Sequence, residues 1–271
     1  MEILRGRNLV WMVGMPIFFS AIWLGSYFFY FLIQAIIIIA LKEFNDLSKN
    51  SNTKLSFIFS IIGSFFITDY YFLGIFTKFL YFEFLLIIFL LTLFICELFY
   101  SDKNLVINIS TILFGLLYIP FLLGTVVAIK QFDQIMYSQF TLLLFISIWA
   151  CDTAAFIFGS YFGKNKIFPN ISPKKTWEGS IAGVLASVLI FFIFFKANLL
   201  LDNNNFIKII ILAIFVSVSG QIGDLFESKI KRLAGVKDSG TLLLGHGGFL
   251  DRFDSLIFAS PIIYLYINFF I

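Results

Sequence analysis

The sequence has little charge and few of the residues that build metal or disulfide frameworks. Only 13% of its 271 residues are charged, whereas a soluble domain averages about 25%. Its two cysteines, Cys96 and Cys151, both fall in apolar segments, and His246 is its one histidine. Two such cysteines cannot form a disulfide framework, and a single histidine cannot form a multi-histidine metal site. Redox chemistry and structural zinc are therefore excluded.

Apolar residues take the place of the missing charge. They make up 60% of the chain, include 39 phenylalanines, and give a mean hydropathy of +0.98. A chain this apolar cannot hide its surface from water, so the lipid bilayer is its expected solvent. The composition therefore predicts an all-α, polytopic integral membrane protein that has the bilayer, and no nucleic acid, as its partner.

Nine segments are apolar enough to be spanning helices, each of which needs roughly 20 such residues. The third is the weakest because Asp69 interrupts it, and the first two require a tight turn near Gly25. We treat residues 1–271 as one membrane domain, with N-terminal helices in 1–130 and a catalytic half in 131–271. The predicted spans are 8–24, 26–41, 55–75, 80–99, 105–129, 140–162, 180–201, 206–226 and 255–271.

The placement of lysine and arginine predicts the orientation, because cytoplasmic connections carry an excess of both. With nine spans, four of the 19 basic residues fall outside: Lys78, Lys130, Lys196 and Lys208. The other 15 share the side of the N-terminus, which we therefore place in the cytoplasm. The long polar connections 163–179 and 227–253 then face the cytoplasm too. We expect a multi-pass protein of the cell inner (plasma) membrane, whose first apolar stretch, without a cleavage site, is retained.

Three carboxylates carry the main indication of chemistry. Asp224 lies at the end of an apolar segment beside small residues, where an ionisable group is costly and is a functional candidate by default. Asp251 and Asp254 are three residues apart at the start of the final helix, so they share a face. A packing ion pair and a helix cap are the alternatives, but a cap does not explain Arg252 between them. Together the three suit a hard cation such as Mg²⁺.

Glycines and cations surround these carboxylates in the sequence. Glycines let backbone N–H groups approach phosphate oxygens, and a helix N-terminus favours anions. Positive-inside topology explains the side of the membrane on which the cations lie, but not their interleaving with glycines and carboxylates. The pattern indicates a polyphosphate cradle. Its members are Ser228, Lys231, Arg232, Lys237, Gly240, Gly245, Gly247, Gly248 and Arg252.

An earlier connection supplies a second part of the site. Asp152 lies within an apolar span, next to Cys151. Further on, Ser172 before Pro173 predicts the start of a helix. Lys174 and Lys175 would then lie in its first turn, where the helix dipole disfavours cations. We therefore expect both lysines to contact an anionic substrate.

These motifs resemble those of the phosphatidate cytidylyltransferases, or CDP-diacylglycerol synthases. The resemblance covers the second half of the chain, including Asp152-Thr153 and the segment 172–179. Leu244 departs from the family pattern, which usually has proline or a small turn residue there. The main signature keeps every spacing: Ser228, Lys231-Arg232, Lys237-Asp238, His246-Gly247-Gly248, Asp251-Arg252 and Asp254.

The resemblance implies transfer of CMP from CTP to phosphatidic acid, giving CDP-diacylglycerol and pyrophosphate in phospholipid biosynthesis. It also implies Mg²⁺ held by Asp224 and Asp251, a homodimer, and a catalytic set that Lys237 and Asp254 complete. The expected substrate-binding residues are Asp152, Lys174, Lys175, Thr176, Ser228, Lys231, Arg232, His246, Gly247, Gly248 and Arg252. The attacking phosphate is already anionic, so positioning and charge neutralisation suffice without a strong base.

Two other functions compete with this interpretation. A CTP-dependent lipid kinase would need a base for a neutral hydroxyl, and the chain offers no obvious additional histidine. A transporter predicts charges spread across the membrane depth and repeat symmetry between halves. Here the charges cluster at one face, which favours the transferase.

Overall fold

The computed structural model describes residues 16–48, 54–74, 79–100, 105–200, 205–240 and 247–271, and most of them are helical. Helix α1 is described over residues 16–24. The remaining elements are α2 (Ser26–Leu47), α3 (Lys54–Leu73), α4 (Phe79–Tyr100), α5 (Leu105–Leu116), a π-helix (Leu117–Phe121), α6 (Thr125–Met136), α7 (Phe140–Phe162), β1 (Lys166–Phe168), β2 (Ser172–Thr176), α8 (Trp177–Lys196), α9 (Phe206–Leu233) and α10 (Leu250–Phe270).

Seven helical stretches of the described chain are long and apolar enough to cross a membrane. They are α2, residues 82–99 of α4, the stretch from α5 to α6, and α7 to α10. Helix α3 adds a shorter apolar helix, Phe57–Leu73, and the predicted span 8–24 begins outside the described residues. The prediction of a polytopic helical membrane protein is confirmed, with one addition. A small antiparallel sheet of β1 and β2 precedes α8.

Several predicted ends were wrong, because polar residues continue the helices beyond their apolar parts. Helix α9 runs past the predicted end at 226 to Leu233, and α10 begins at Leu250 rather than 255. By contrast, α7 matches the predicted 140–162 at both ends. The turn near Gly25 is also confirmed, since its φ of 113° is readily available only to glycine.

The chain divides into two compact units. The first contains Met1–Ala128 and Asp238–Arg252, and the second contains Ile129–Lys237 and Phe253–Ile271. The division near residue 128 lies close to the predicted boundary at 130. However, the segment Asp238–Arg252, which we placed in the catalytic half, belongs to the first unit.

Polar contacts between helices support the packing of the first unit. The Thr68 hydroxyl donates to Gln34 Oε1 at 2.6 Å, and Gln34 Nε2 donates to the Ser64 hydroxyl at 2.9 Å. The Asp69 carboxylate, which weakened the predicted third span, accepts a hydrogen bond from the Tyr30 hydroxyl. These bonds join α2 to α3 in an environment that offers no water as a substitute partner. An apolar cluster lies beside them: Phe59, Phe89, Leu93, Ile112 and Leu116.

Small residues let α7 and α8 of the second unit pack closely. A Cβ added at Gly179 would lie 2.6 Å from the Ala155 carbonyl oxygen and 3.0 Å from Gly159 Cα. Close backbone approach through glycine is the usual way for membrane helices to gain packing energy. Helix α8 also packs against α9, so that α7, α8 and α9 form one packed group.

A carboxylate from the preceding helix, α6, caps the start of α7. The N-cap residue, Gln139, makes no capping side-chain bond. Instead, buried Asp133 accepts from Phe140 N at 2.8 Å, from Thr141 N at 2.7 Å and from the Ser138 hydroxyl at 2.7 Å. These N–H groups belong to the first turn of α7, where no intrahelical partner exists.

We expect Asp133→Asn to destabilise the protein by about 1–3 kcal/mol, because an amide nitrogen cannot accept the bond from Thr141 N. Thermal unfolding of the detergent-purified protein measures this. Gln139→Ala is the matched control and should leave the melting temperature unchanged. A melting temperature that fell in the control and not in Asp133→Asn would contradict this assignment of the cap.

Candidate functional site

The segment before α8 is a hairpin, which corrects the predicted helix start at Ser172. Residues Ser172–Thr176 form β2, which pairs with β1 through Lys166–Thr176 and Phe168–Ser172. Helix α8 starts at Trp177, because Thr176 is the N-cap and its hydroxyl accepts from Gly179 N at 3.2 Å. The two lysines before it therefore lie in a strand, so the argument from the helix dipole does not apply to them.

The hairpin directs one of its lysines to the predicted catalytic aspartate. Lys175 Nζ lies 2.7 Å from Asp224 Oδ2, and both side chains are about two-thirds to three-quarters covered, with exposures of 26% and 33%. Lys174 is exposed. The ion pair places β2 against α9, nine residues before that helix ends. Asp224 is thus inside a helix and not at its end.

Three carboxylates of the second unit share one electrostatic environment. Asp152 on α7 and Asp254 on α10 each lie close enough to Asp224 for their charges to interact, and Lys175 moderates Asp152. Glycine allows this approach, since a Cβ at Gly223 would lie 2.5 Å from the Asp254 carbonyl oxygen. Three acidic groups near one lysine repel one another when ionised, which favours a bound cation.

A glutamine links α9 to α7 and α8 beside this cluster. Gln221 Nε2 donates to the Ser180 carbonyl oxygen at 3.1 Å and contacts Cys151 Sγ at 3.4 Å. Its Oε1 accepts from the Ser180 hydroxyl. Gln221 lies three residues before Asp224, and Cys151 lies directly before Asp152. The bonds therefore fix α7, α8 and α9 next to two of the three carboxylates.

Glu227 is a site residue that the sequence interpretation missed. It is fully buried, its carboxylate lies 3.1 Å from Lys231 Nζ, and its side chain neighbours that of Asp254. The spacing of Asp224, Glu227 and Lys231 along one helix face was the signal that could have found it. Lys231, predicted to bind substrate, is buried and paired with this glutamate.

The other polar residues of α9 lie around the cluster. The Ser228 hydroxyl donates to Asp224 Oδ1 at 3.4 Å. Arg232 donates to the Ile171 and Val236 carbonyl oxygens at 3.4 and 3.3 Å, and its side chain is exposed. Lys237 is exposed as well. Ser228 therefore contacts the cluster directly, and Arg232 helps to hold the end of the hairpin.

Asp251 belongs to the first unit, where it accepts hydrogen bonds from two backbone N–H groups. Its Oδ2 accepts from Gly248 N at 2.8 Å and from Ser239 N at 3.0 Å. Gly247 has a φ of +78°, a conformation that glycine adopts without strain. Gly248 thus donates its N–H within the protein, and Arg252 is exposed. Gly245 and His246 lie outside the described residues.

Carboxylate oxygens are the donors available for a metal. Within the part of the chain that the structure describes, no group of three or more His, Cys, Asp and Glu side chains is arranged to hold a metal ion. Mg²⁺ does not require one, because it binds through one or two carboxylates and shares its other positions with water and substrate phosphates. The aspartates around Asp224 fit such a cation in donor chemistry and in charge.

Comparison with known proteins places the chain in a family. A model of the cytidylyltransferase family matches residues 5–270, so the chain belongs to that family. The resemblance noted from the motifs is thereby confirmed.

Individual relatives align with about half of the chain. The phosphatidate cytidylyltransferase of Staphylococcus haemolyticus is 45% identical over 130 residues, which cover 46% of this chain and 47% of the relative. That of Haemophilus influenzae is 42% identical over 158 residues, or 56% of this chain and 54% of the relative. The chain thus spans about half the length of the curated relatives it matches.

We expect Lys231→Met to destabilise the protein by about 3–5 kcal/mol, because it leaves the charge of Glu227 buried without its lysine. Unfolding in detergent measures this loss. The exposed Lys229 provides the control, since Lys229→Met should change stability by less than about 0.5 kcal/mol.

The double variant Glu227→Gln/Lys231→Met separates an ion pair from simple packing. It should be less destabilised than Lys231→Met, because it also removes the buried charge. A double variant that is less stable than Lys231→Met would contradict the pairing.

Proposed function

We propose that this chain transfers CMP from CTP to phosphatidic acid, releasing pyrophosphate and forming CDP-diacylglycerol. The observation that carries the proposal is the ion pair of Lys175 with Asp224 beside Asp152 and Asp254. A lysine among several carboxylates suits a nucleoside triphosphate with its metal. Membership of the cytidylyltransferase family and the names of the aligned relatives support CTP as the nucleotide and phosphatidic acid as the lipid.

The residues act mainly by holding charge in place. Lys175 is already fixed by Asp224, so it can neutralise a phosphate oxygen with little loss of side-chain freedom. Ser228 supplies a hydroxyl beside the same aspartate. The nucleophile, a phosphate oxygen of the lipid, needs no base to remove a proton. Rate enhancement then rests on alignment at the α-phosphorus and on stabilising the negative charge that develops on pyrophosphate.

Mg²⁺ is part of the proposal. Asp224 would hold it first, because the carboxylates of Asp152 and Asp254 both interact with that of Asp224. Asp251 is the second ligand that the family resemblance implies. When bound, the ion neutralises phosphate charge and orients the triphosphate.

The membrane setting supports a substrate that is itself a lipid. We place the N-terminus and the site on the cytoplasmic side of the inner membrane, because 15 of 19 basic residues lie on that side when nine spans are counted. Cytoplasmic CTP and a membrane phosphatidate can then meet at one site. We also expect a homodimer from the family resemblance.

Labelled nucleotide tests the reaction. With phosphatidic acid in detergent, CTP labelled at the α-phosphorus should transfer its label to the lipid, and CTP labelled at the γ-phosphorus should release labelled pyrophosphate. The label of the γ-phosphorus in the lipid would instead establish a kinase. Absence of both transfers by folded protein would reject the proposal.

We expect Asp224→Asn and Asp251→Asn each to lower Mg²⁺-dependent CDP-diacylglycerol formation at least about 100-fold, because each removes a charge that the transition state needs. Asp46→Asn, a change at an exposed carboxylate of α2, should retain activity. Melting temperatures close to that of the wild type show that the variants are folded. Near-normal activity of either folded variant would reject its role as a metal ligand.

A further inference from the structure

Glu43 is an almost completely buried carboxylate to which the proposed reaction gives no role. Its exposure is 3%, and it lies near the end of α2. A buried charge is costly unless hydrogen bonds satisfy it. Glu43 accepts three: from the Ser239 hydroxyl at 2.8 Å, from Phe249 N at 3.0 Å and from Leu250 N at 2.9 Å.

Two of these donors are backbone groups at the N-terminus of α10. Phe249 directly precedes the helix and Leu250 is its first residue, so their N–H groups have no partner within the helix. A cap is usually a local Ser, Thr, Asp or Asn, and Phe249 cannot act as one. The carboxylate of Glu43 takes that role from 207 residues away. Its negative charge also favours this end of the helix dipole.

The third donor is the hydroxyl of Ser239, which directly precedes Gly240. Glu43 therefore joins Ser239 to Phe249 and Leu250, the residues that flank 240–248. Two glycines make room for it. A Cβ at Gly240 would lie 2.5 Å from Glu43 Oε1, and one at Gly248 would lie closer still to Oε2. At these two positions, glycine allows a carboxylate of the protein itself to approach.

Asp251 is hydrogen-bonded at the same two places, directly before Gly240 and directly before Phe249. It accepts from Ser239 N and from Gly248 N, so Ser239 is held by Asp251 through its backbone and by Glu43 through its hydroxyl. The orientation of Asp251 thus depends on Ser239 and on the start of α10, both of which Glu43 holds by hydrogen bonds. We infer that Glu43 is a positioning residue, which caps α10 and sets the geometry of Asp251 for its part in the proposed reaction.

The inference rests on the proposed function, and one measurement tests the anchor without it. Glu43→Gln keeps the size of the side chain but turns an amide N–H₂ toward N–H donors. Hydrogen–deuterium exchange of the purified full-length protein should show the Phe249 and Leu250 amides exchanging about tenfold faster. Asp46→Asn, one turn further along α2, should leave them unchanged. Unchanged exchange in Glu43→Gln would overturn the inference.

Kinetics then separate positioning from a merely structural bond. In Glu43→Gln we expect kcat to fall about 10- to 100-fold and the Mg²⁺ concentration for half-maximal rate to rise, with an unchanged KM for phosphatidic acid. Faster exchange with unchanged kcat and Mg²⁺ dependence would overturn the positioning role. A wild-type chain without cytidylyl transfer would reject the proposed function and not the anchor, which the exchange data decide.

Ser239→Ala keeps the test decisive if Glu43→Gln folds poorly. It removes one bond to Glu43 and retains the backbone bond of Ser239 to Asp251. We expect the same changes in exchange and Mg²⁺ dependence, with smaller amplitude. An Mg²⁺ dependence identical to that of the wild type in this variant would also overturn the positioning role.

Discussion

The cost of a carboxylate in an apolar medium governs much of this structure. A spanning segment has no water to solvate an ionised group, so each such group requires a cation, an N–H donor or a hydroxyl nearby. Asp133 takes two helix N–H groups and a hydroxyl, and Glu227 takes a lysine one turn away. Asp224 takes Lys175 from the hairpin. The positions of helix ends and of the hairpin follow from these pairings.

The same cost distinguishes two kinds of acidic group. Where donors satisfy the carboxylate fully, as at Asp133, the result is a fixed helix end. Around Asp224, two further aspartates lie near the ion pair that it forms with Lys175, and that crowding of acidic groups is the physical basis for expecting a cation. The candidate site for a charged substrate thus coincides with the place where internal compensation is left incomplete.

Much of the fold could be predicted, because spanning helices require long apolar runs that are visible in the sequence. The ends of α7 and the turn at Gly25 are examples. The hairpin could not be predicted from Ser172-Pro173, since its strands are short and depend on pairing with Lys166–Phe168. For the same reason the start of α8 at Trp177 was missed. Local patterns record caps and apolar faces, but they do not record which strand pairs with which.

Within the candidate site, Asp224 and Asp251 stood out because charged residues are conspicuous beside apolar runs. Glu43 did not, since its partners lie about 200 residues further along and no spacing rule connects them. Gly240 and Gly248 were predicted to let phosphate oxygens approach the backbone. The group that approaches them is a glutamate of the chain, which only the tertiary structure shows.

The bond between Glu43 and Leu250 also has a consequence for the order of folding. A ribosome makes Glu43 long before the residues that satisfy it, so α2 enters the membrane with a carboxylate that must wait for its donors. The three hydrogen bonds of Glu43 can all form only after Leu250 has been synthesised. Contacts so distant in sequence form late. Completion of this part of the site is therefore coupled to the insertion of α10.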